Sequence, residues 1–594
     1  YPFIIKDGID LMGMQALVDT GYSFVGQYIE VANGENNLDG LAATRIKFPT
    51  YASTGTAATD GASNTMFKAV DKDGSYKVGK SYHLLLIGAV FNKARNEDAT
   101  YVGTDYGYWA YNTYYYNGAY NDSDFGDMRR YGIFRIQNFI PMGRGNNVFK
   151  GHFSGKQDGD TSTIIDDLRI TTGKDGGGYG GLFAKVQDAY IGYISIGGTS
   201  KVSAYSYDNS TEAGAGGIVG KALGSTVIEN CGVADSVQIG AYGRTDKVTI
   251  SSDGITFAGG IAGVADPIHG NSYNAGITLT IRNCSVSTSG IIESAKSNIG
   301  GVLGYVAGSD IASGKSNTVR IEGCSVDKAV IQAASSANTS SQIGGILGYG
   351  SQYVAAVITG CKVGVGGAES IKGEHSLGGI AGGMSNAKGG YIDSCTVGAN
   401  TTIERIDVGG DKTVWESENH GTAIGGLVGF TQYANDDTSP LTTTFSGTSA
   451  FNGTITVSVE ATNPSTDSDG KISCIGGIVG DMGSGANFAS GSNVTVGGNI
   501  NITLAAANVG GVVGRTNKAT FIGKFNVAPN MSTENAENVG GFIGKNIGTV
   551  YILTDTTDKL ENTTIGALNG TSISIGGKIK GTSEVGGFIG VNNS

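Results

Sequence analysis

The sequence predicts an all-β solenoid, a stack of short strands with a short N-terminal capping helix and long loop insertions. Three observations carry this. The chain holds 100 glycines but only 7 prolines in 594 residues, without the Gly-X-Y period of collagen. Gly-Gly, two apolar residues and Gly recur along most of it, first as the variant GGLFA from Gly180 and then in full from Gly216, Gly259, Gly300, Gly344, Gly378, Gly425, Gly476, Gly510, Gly540 and Gly586. Between the copies runs a second phrase, VIENCGV, TIRNCSV, RIEGCSV, VITGCKV and YIDSCTV, whose alternation of apolar and polar residues has the period of a half-buried strand.

Successive Gly-Gly phrases start 30 to 51 residues apart, a spacing natural to a solenoid whose corners accept insertions. Each repeat is expected to supply two or three strands, with one residue of each aliphatic pair, such as Ile218 and Val219, turned inward. The glycines are expected either to take positive φ or to stand where backbones approach too closely for a Cβ. Eleven stacked copies at about 4.8 Å make a rod of at least roughly 50 Å.

Residues 1–178 read as a cap and entry coils with a tyrosine-rich insertion, and 179–594 as the repeats. From Asp10 to Thr20 a helix is expected, with Leu11, Met14 and Val18 on one face, Asp10 as its N-cap and Gly21 at its end. Such a helix would cover the open core of the first coil. The passage YVGTDYGYWAYNTYYYNGAYNDSDFG sets Tyr106, Tyr108, Trp109, Tyr111, Tyr114, Tyr115 and Tyr116 among Gly, Asn and Asp. It reads as an exposed loop. Rings with a flat apolar face and a polar tip suit sugars or a protein partner; packing against the solenoid flank to pin a long insertion fits the residues equally well.

Charged residues make up 15% and the net charge is −12, which excludes the clustered Lys and Arg that nucleic acid or an anionic membrane needs. No stretch reaches the roughly 20 apolar residues that span a bilayer. The chain opens at Tyr1 without a signal-like segment, so any export signal is read as already removed, and it ends partway through a repeat, which reads as a piece of a longer protein.

The Gly-Gly phrase together with the Ile-x-x-Cys-x-Val phrase resembles the GLUG-motif repeats of bacterial surface adhesins and of some secreted IgA-peptidase-like proteins, from Gly180 to the C-terminus. Upstream, FIPMG from Phe139, VFKGHFSG from Val148 and TIIDDLRI from Thr163 resemble the entry region of such proteins. The resemblance implies a right-handed parallel β-helix on the outer surface of a Gram-negative, Bacteroidota-type bacterium, with adhesion as its role. It implies no catalytic residue.

Local chemistry is sparse. Cys231, Cys284, Cys324, Cys361 and Cys395 share one repeat position and are expected to stack as buried reduced thiols, with Cys474 outside that register. No metal site or cofactor is expected: His83, His152, His269, His375 and His420 show no ligand spacing. Asp158, Asp160, Asp166 and Asp167, and DKDG from Asp71, lack a complete calcium loop and read as solvated turns. Lys174 opens KDGGGYGG, yet no Gly-Lys-Ser/Thr and helix follow, so a nucleotide loop is not expected. Gly483 to Gly485 lacks the strand and helix of a hydrolase elbow.

The reading is therefore a non-catalytic, exported, adhesin-like or scaffold protein whose contact surfaces are the N-terminal insertion and the loop around Trp415. Its partners would be a glycan or a cell-surface protein, with self-assembly also open. Two alternatives stand: a polysaccharide lyase or glycoside hydrolase whose acidic groups meet across coils, and a structural stalk or filament subunit.

Overall fold

The computed structural model describes residues 3–5, 11, 14, 15, 17, 18, 21–31 and 45–47, and most of the chain from 141 to 593; besides 32–44 and 48–140, the longest internal stretches left out are 407–421, 432–442, 459–472 and 553–571. The protein is a parallel β-helix. Five sheets of 13, 12, 11, 11 and 11 strands run along it, and over most of its length a strand pairs with the strand five places on. A single two-residue strand, Ile250–Ser251, pairs antiparallel with the third sheet. At about 4.8 Å per strand the first sheet is about 58 Å long.

One turn of the coil shows the plan. Val227–Glu229 lies in the first sheet, Gly232–Asp235 in the second, Gln238–Arg244 in the third, Ile255–Gly259 in the fourth and Ala262–Asp266 in the fifth. A repeat thus supplies five strands, more than the two or three expected. The extra strands are the two arms of the Gly-Gly phrase, too short and too glycine-rich to show an alternating pattern.

In the first three sheets alternation decides which side chains go in. Along Thr278–Arg282, Leu279 and Ile281 are buried while Thr280 and Arg282 point outward. Ile191, Ile228, Ile281, Ile321, Ile358 and Ile392 stack in register. The column then passes to Phe445 and Phe488, whose rings stack at 4.7 Å. Each of these side chains contributes roughly 1.5 to 3 kcal/mol when fully buried.

The turn from first to second sheet uses a left-handed residue just before each cysteine: Asn230, Asn283 and Ser394 at φ 50 to 53°, Gly323 and Gly360 at 61 and 64°. Asn and Gly tolerate that region best. It swings the following thiol inward, and all six cysteines are free and buried. Cys284 donates to the carbonyl of Ile228 one coil back at 3.8 Å, and Cys324 to that of Ile281 at 3.8 Å. Burial, followed by its thiol neighbours, pushes the Cys284 thiol well above its ordinary range. Cys474 stands in the fourth sheet, apart from this column.

The Gly-Gly phrase is a wedge that turns inward. A Cβ on Gly217 would come within 2.6 Å of Val233, the valine two places after Cys231. The same meeting recurs at Gly345 with Val363 and at Gly379 with Val397. The two sequence phrases therefore touch at the centre of every such coil. The chain then runs back out along the fifth sheet, and the third glycine lets the fourth and fifth sheets lie backbone to backbone: a Cβ on Gly304 would stand 2.7 Å from the carbonyls of Ala258 and Gly263. Close approach, not positive φ, explains these glycines. Both residues of the aliphatic pair are buried, as at Ile218 with Val219 and Val302 with Leu303, so the expectation of one inward side chain is corrected. The variant GGLFA is one residue short: Gly180 pairs with Ala215, yet Phe183 already pairs with Val219.

At the N-terminal end Leu11, Met14, Gln15, Leu17 and Val18 are helical, and Leu11, Met14 and Val18 are buried against the core. Gly21 (φ 99°) ends the helix. Its N–H donates to the Val18 carbonyl, and that of Tyr22 to the Leu17 carbonyl, both at 3.0 Å, which satisfies two of the last carbonyls. The expected N-cap, Asp10, lies outside the described residues. Among the described residues no helix is long and apolar enough to cross a membrane.

Candidate functional site

The fourth and fifth sheets face each other across the glycines, so their outer ends form the two lips of a seam. One lip is where the fourth-sheet strands begin, the other where the fifth-sheet strands end. Between Tyr179 and Ile552, seven connections between strands of the coil exceed five residues: 245–254, 334–341, 406–421 and 458–472 enter the fourth sheet, while 267–277, 307–316 and 432–442 leave the fifth. All seven therefore spring from the lips. The corners between the first three sheets stay short over this range because they carry the left-handed turn and the close packing of the core.

The seam is closed by side chains that sequence reading passed over. Near its N-terminal end Glu212, the first residue of its strand, accepts from the Tyr179 hydroxyl at 2.9 Å. Lys221 crosses from the other lip to reach Glu212 at 3.3 Å, pairs with Asp266 of its own sheet at 3.6 Å, and its Nζ lies 5.5 Å from the centre of the Tyr179 ring. Lys185 occupies the same column one coil before Lys221; burial, then the neighbouring ammonium, lowers its pKa. The Tyr179 hydroxyl is raised by burial and by Glu212. Tyr305 is pushed up to about 12 by burial, then by Tyr349, Glu212 and Asp266. Perturbed groups gathered in one place mark a candidate site.

Deeper in the seam Phe257, Val264 and Ala307 form an apolar cluster separate from the main core, with Tyr179 and Tyr305 packed on it. The rings of Phe257 and Tyr305 stack at 4.5 Å, those of Tyr305 and Tyr349 at 6.0 Å, and those of Tyr349 and Phe430 at 6.1 Å. Gly383 stands between the last two in the column, and the Phe430 ring leans over it. Further on, Arg515 grips the buried Asp481 with two bonds, at 3.1 and 2.6 Å. Lys221 and Glu212 join the two lips, whereas Lys221 with Asp266 and Arg515 with Asp481 pair along the fifth sheet. The Lys221–Glu212 pair and the Phe257–Tyr305 stack bridge the lips near the N-terminal end of the seam, and Glu212 and Asp266 are tied to Lys221 rather than paired for acid and base work.

A second constellation lies on the outer face of the first sheet. His152 stacks on Tyr190 at 4.0 Å and leans on Tyr28 at 4.9 Å. The Tyr190 hydroxyl donates to Glu229, which also takes an ion pair from Arg282. Burial lowers the His152 pKa, with Glu229 opposing. From His152 on, successive members stand 38 to 53 positions apart in sequence, and Tyr28 lies farther off still, yet each is a coil from the next in the fold, and no local motif announces them.

The tyrosine-loop residues Tyr106, Tyr108, Trp109, Tyr111, Tyr114, Tyr115 and Tyr116 lie outside the described residues, as do Trp415, Lys174, DKDG from Asp71, Asp158, Asp160 and Asp167, and His83, His269 and His420. Asp166 is buried at the end of its second-sheet strand. His375 is buried 3.8 Å from Glu374, in a short connection between the third and fourth sheets. Among the described residues no three His, Cys, Asp or Glu side chains converge to hold a metal ion. A scan against protein-family models, a search of curated proteins and a search of solved structures each returned no match.

Proposed function

We propose that this chain is a non-catalytic, adhesin-like scaffold, exported to a bacterial cell surface, whose stiff solenoid displays contact loops. The observation that carries this reading is that, between Tyr179 and Ile552, all seven long connections sit on the two lips of one seam. A solenoid tolerates insertion wherever a corner is loose, so insertions gathered on one flank along this stretch, while those of the first-to-second corner fall only near the ends at 32–44, 156–162 and 553–571, suit the display of a continuous contact surface. The resemblance of the repeats to GLUG-motif proteins supports the same role, and a glycan or a cell-surface protein is the ligand class that the tyrosine-rich insertion favours.

A screen of glycans and matrix proteins, run on the intact chain and on a variant lacking residues 101–120, tests the reading. Binding by the intact chain that falls at least tenfold in the deletion supports it. Binding by neither form, or depolymerisation of an acidic polysaccharide by the intact chain, overturns it.

A further inference from the structure

Eleven large apolar residues are exposed among the described residues, and six of them, Phe3, Ile4, Leu17, Tyr22, Val25 and Tyr28, fall within the first coil and its helix. They gather about one ring. Phe24 is buried, with Phe3 edge-on to it at 6.1 Å and Tyr22 at 4.7 Å. Leu17 adjoins Tyr22 through the hydrogen bond that ends the helix, and Val25 follows Phe24 in the chain. Phe3 pairs with the buried Ile29, so it points toward the core, yet it is 51% exposed because no further coil lies over it among the described residues. Ile4 and Tyr28 continue the patch onto the outer face of the first sheet.

The helix seals the core but leaves this rim apolar. Aromatic and large aliphatic side chains carry on the order of 200 Å² each, so six at about half exposure present about 600 Å². That is the upper end of what a lone protein leaves uncovered. Two such patches face to face bury about 1,200 Å², which clears the roughly 1,000 Å² a specific interface needs. A twofold axis puts the same patch on both sides, so apolar meets apolar without any change elsewhere. The strand Phe3–Ile5 pairs on one side with Tyr28–Val31, and Pro2, which has no N–H, disfavours a further strand beyond it. The contact is therefore made by side chains.

We propose that the helix-capped end of the rod is an interface with a second copy of this chain, giving a head-to-head dimer with both loop-bearing seams pointing away from the junction. A twofold contact of this kind closes on itself, so the helix-capped end joins two copies and no more. None of the six residues is charged, while each chain carries a net charge of −12, so salt screens the repulsion between copies without weakening their contact.

Sedimentation velocity on residues 1–594, between about 1 and 50 µM, tests the proposal. A species of twice the 60.6 kDa chain mass is expected, and its dissociation constant should tighten at least threefold on raising sodium chloride from about 20 to about 300 mM. Phe3→Lys with Val25→Lys should weaken the dimer at least tenfold while the far-ultraviolet spectrum stays unchanged. Phe3→Leu, which keeps an apolar group, should retain it. A monomer throughout the range, or a dimer indifferent to the lysine pair, overturns the proposal. So does flotation of a monomeric chain with phosphatidylcholine vesicles that the lysine pair abolishes, which would give the patch to a lipid surface.

Discussion

Gly345 and Gly587 hold the same place in two copies of the repeat, and a Cβ would be received differently at each. On Gly345 it would stand 2.8 Å from the side chain of Val363 and press on the Gly379 carbonyl of the next coil, whereas on Gly587, in the last copy, it meets nothing within 4 Å. Backbone cannot yield as a flexible side chain can. Gly345→Ala should therefore cost about 1 to 3 kcal/mol, the range of overpacking, and Gly587→Ala should stay within about 0.5 kcal/mol. Urea midpoints of the two variants check this, and equal losses would mean that the motif glycines are there for conformation rather than space. Sequence alone left both reasons open because a repeated glycine looks the same in either case. Positive φ lies instead at Asn230, Asn283, Gly323, Gly360 and Ser394. That column was visible as the alternation of Asn, Gly and Ser before each cysteine, but only the structure shows that it marks a corner.

The strands of the first three sheets were legible because their apolar positions repeat every two residues beside a fixed cysteine. The fourth and fifth were not, since arms such as Ala262–Asp266 bury nearly every residue on both faces. After Cys395 the cysteine phrase stops, and Phe445, Phe488 and Phe521 continue the column in a form that no motif search would link to Ile392. The seam between the two unread sheets was hidden for the same reason. Its partners, such as Asp481 and Arg515, lie 34 residues apart and meet only through the strand pairing. Asp481 is fully buried and its partner nearly so, so removing the guanidinium strands a carboxylate in a poorly solvated site. Arg515→Met should cost about 3 to 5 kcal/mol, and adding Asp481→Leu to it should recover more than half, because a well-packed apolar pair avoids the desolvation of both charges. Denaturant unfolding of the two single variants and the double one measures the coupling. Additive losses would mean that the pair does not act as a unit along the fifth sheet.

At the scale of the whole molecule, the repeat spacing of 30 to 51 residues already said that insertions occur, but not where they sit, because one linear period cannot tell one corner from another. The five-sheet plan supplies the answer. The connection 334–341 enters the fourth sheet at a lip of the seam, while Lys328 and Ala329 form a tight corner in which Lys328 is left-handed at φ 67° and Ala329 is buried. Added chain at a loose surface corner costs little, since loop-closure entropy grows only about 0.6 kcal/mol per doubling of length. At the tight corner the same insertion would separate strands that must keep their register through every coil above and below. An eight-residue Gly/Ser segment placed within 335–341 should thus shift the urea midpoint by less than the equivalent of about 1 kcal/mol. Placed between Lys328 and Ala329, it should cost several kcal/mol and broaden the transition as neighbouring coils lose their coupling. Circular dichroism during urea titration distinguishes the two. Equal tolerance at both corners would show that the seam's lips are not specially permissive, and would remove the reason for placing the contact surface there.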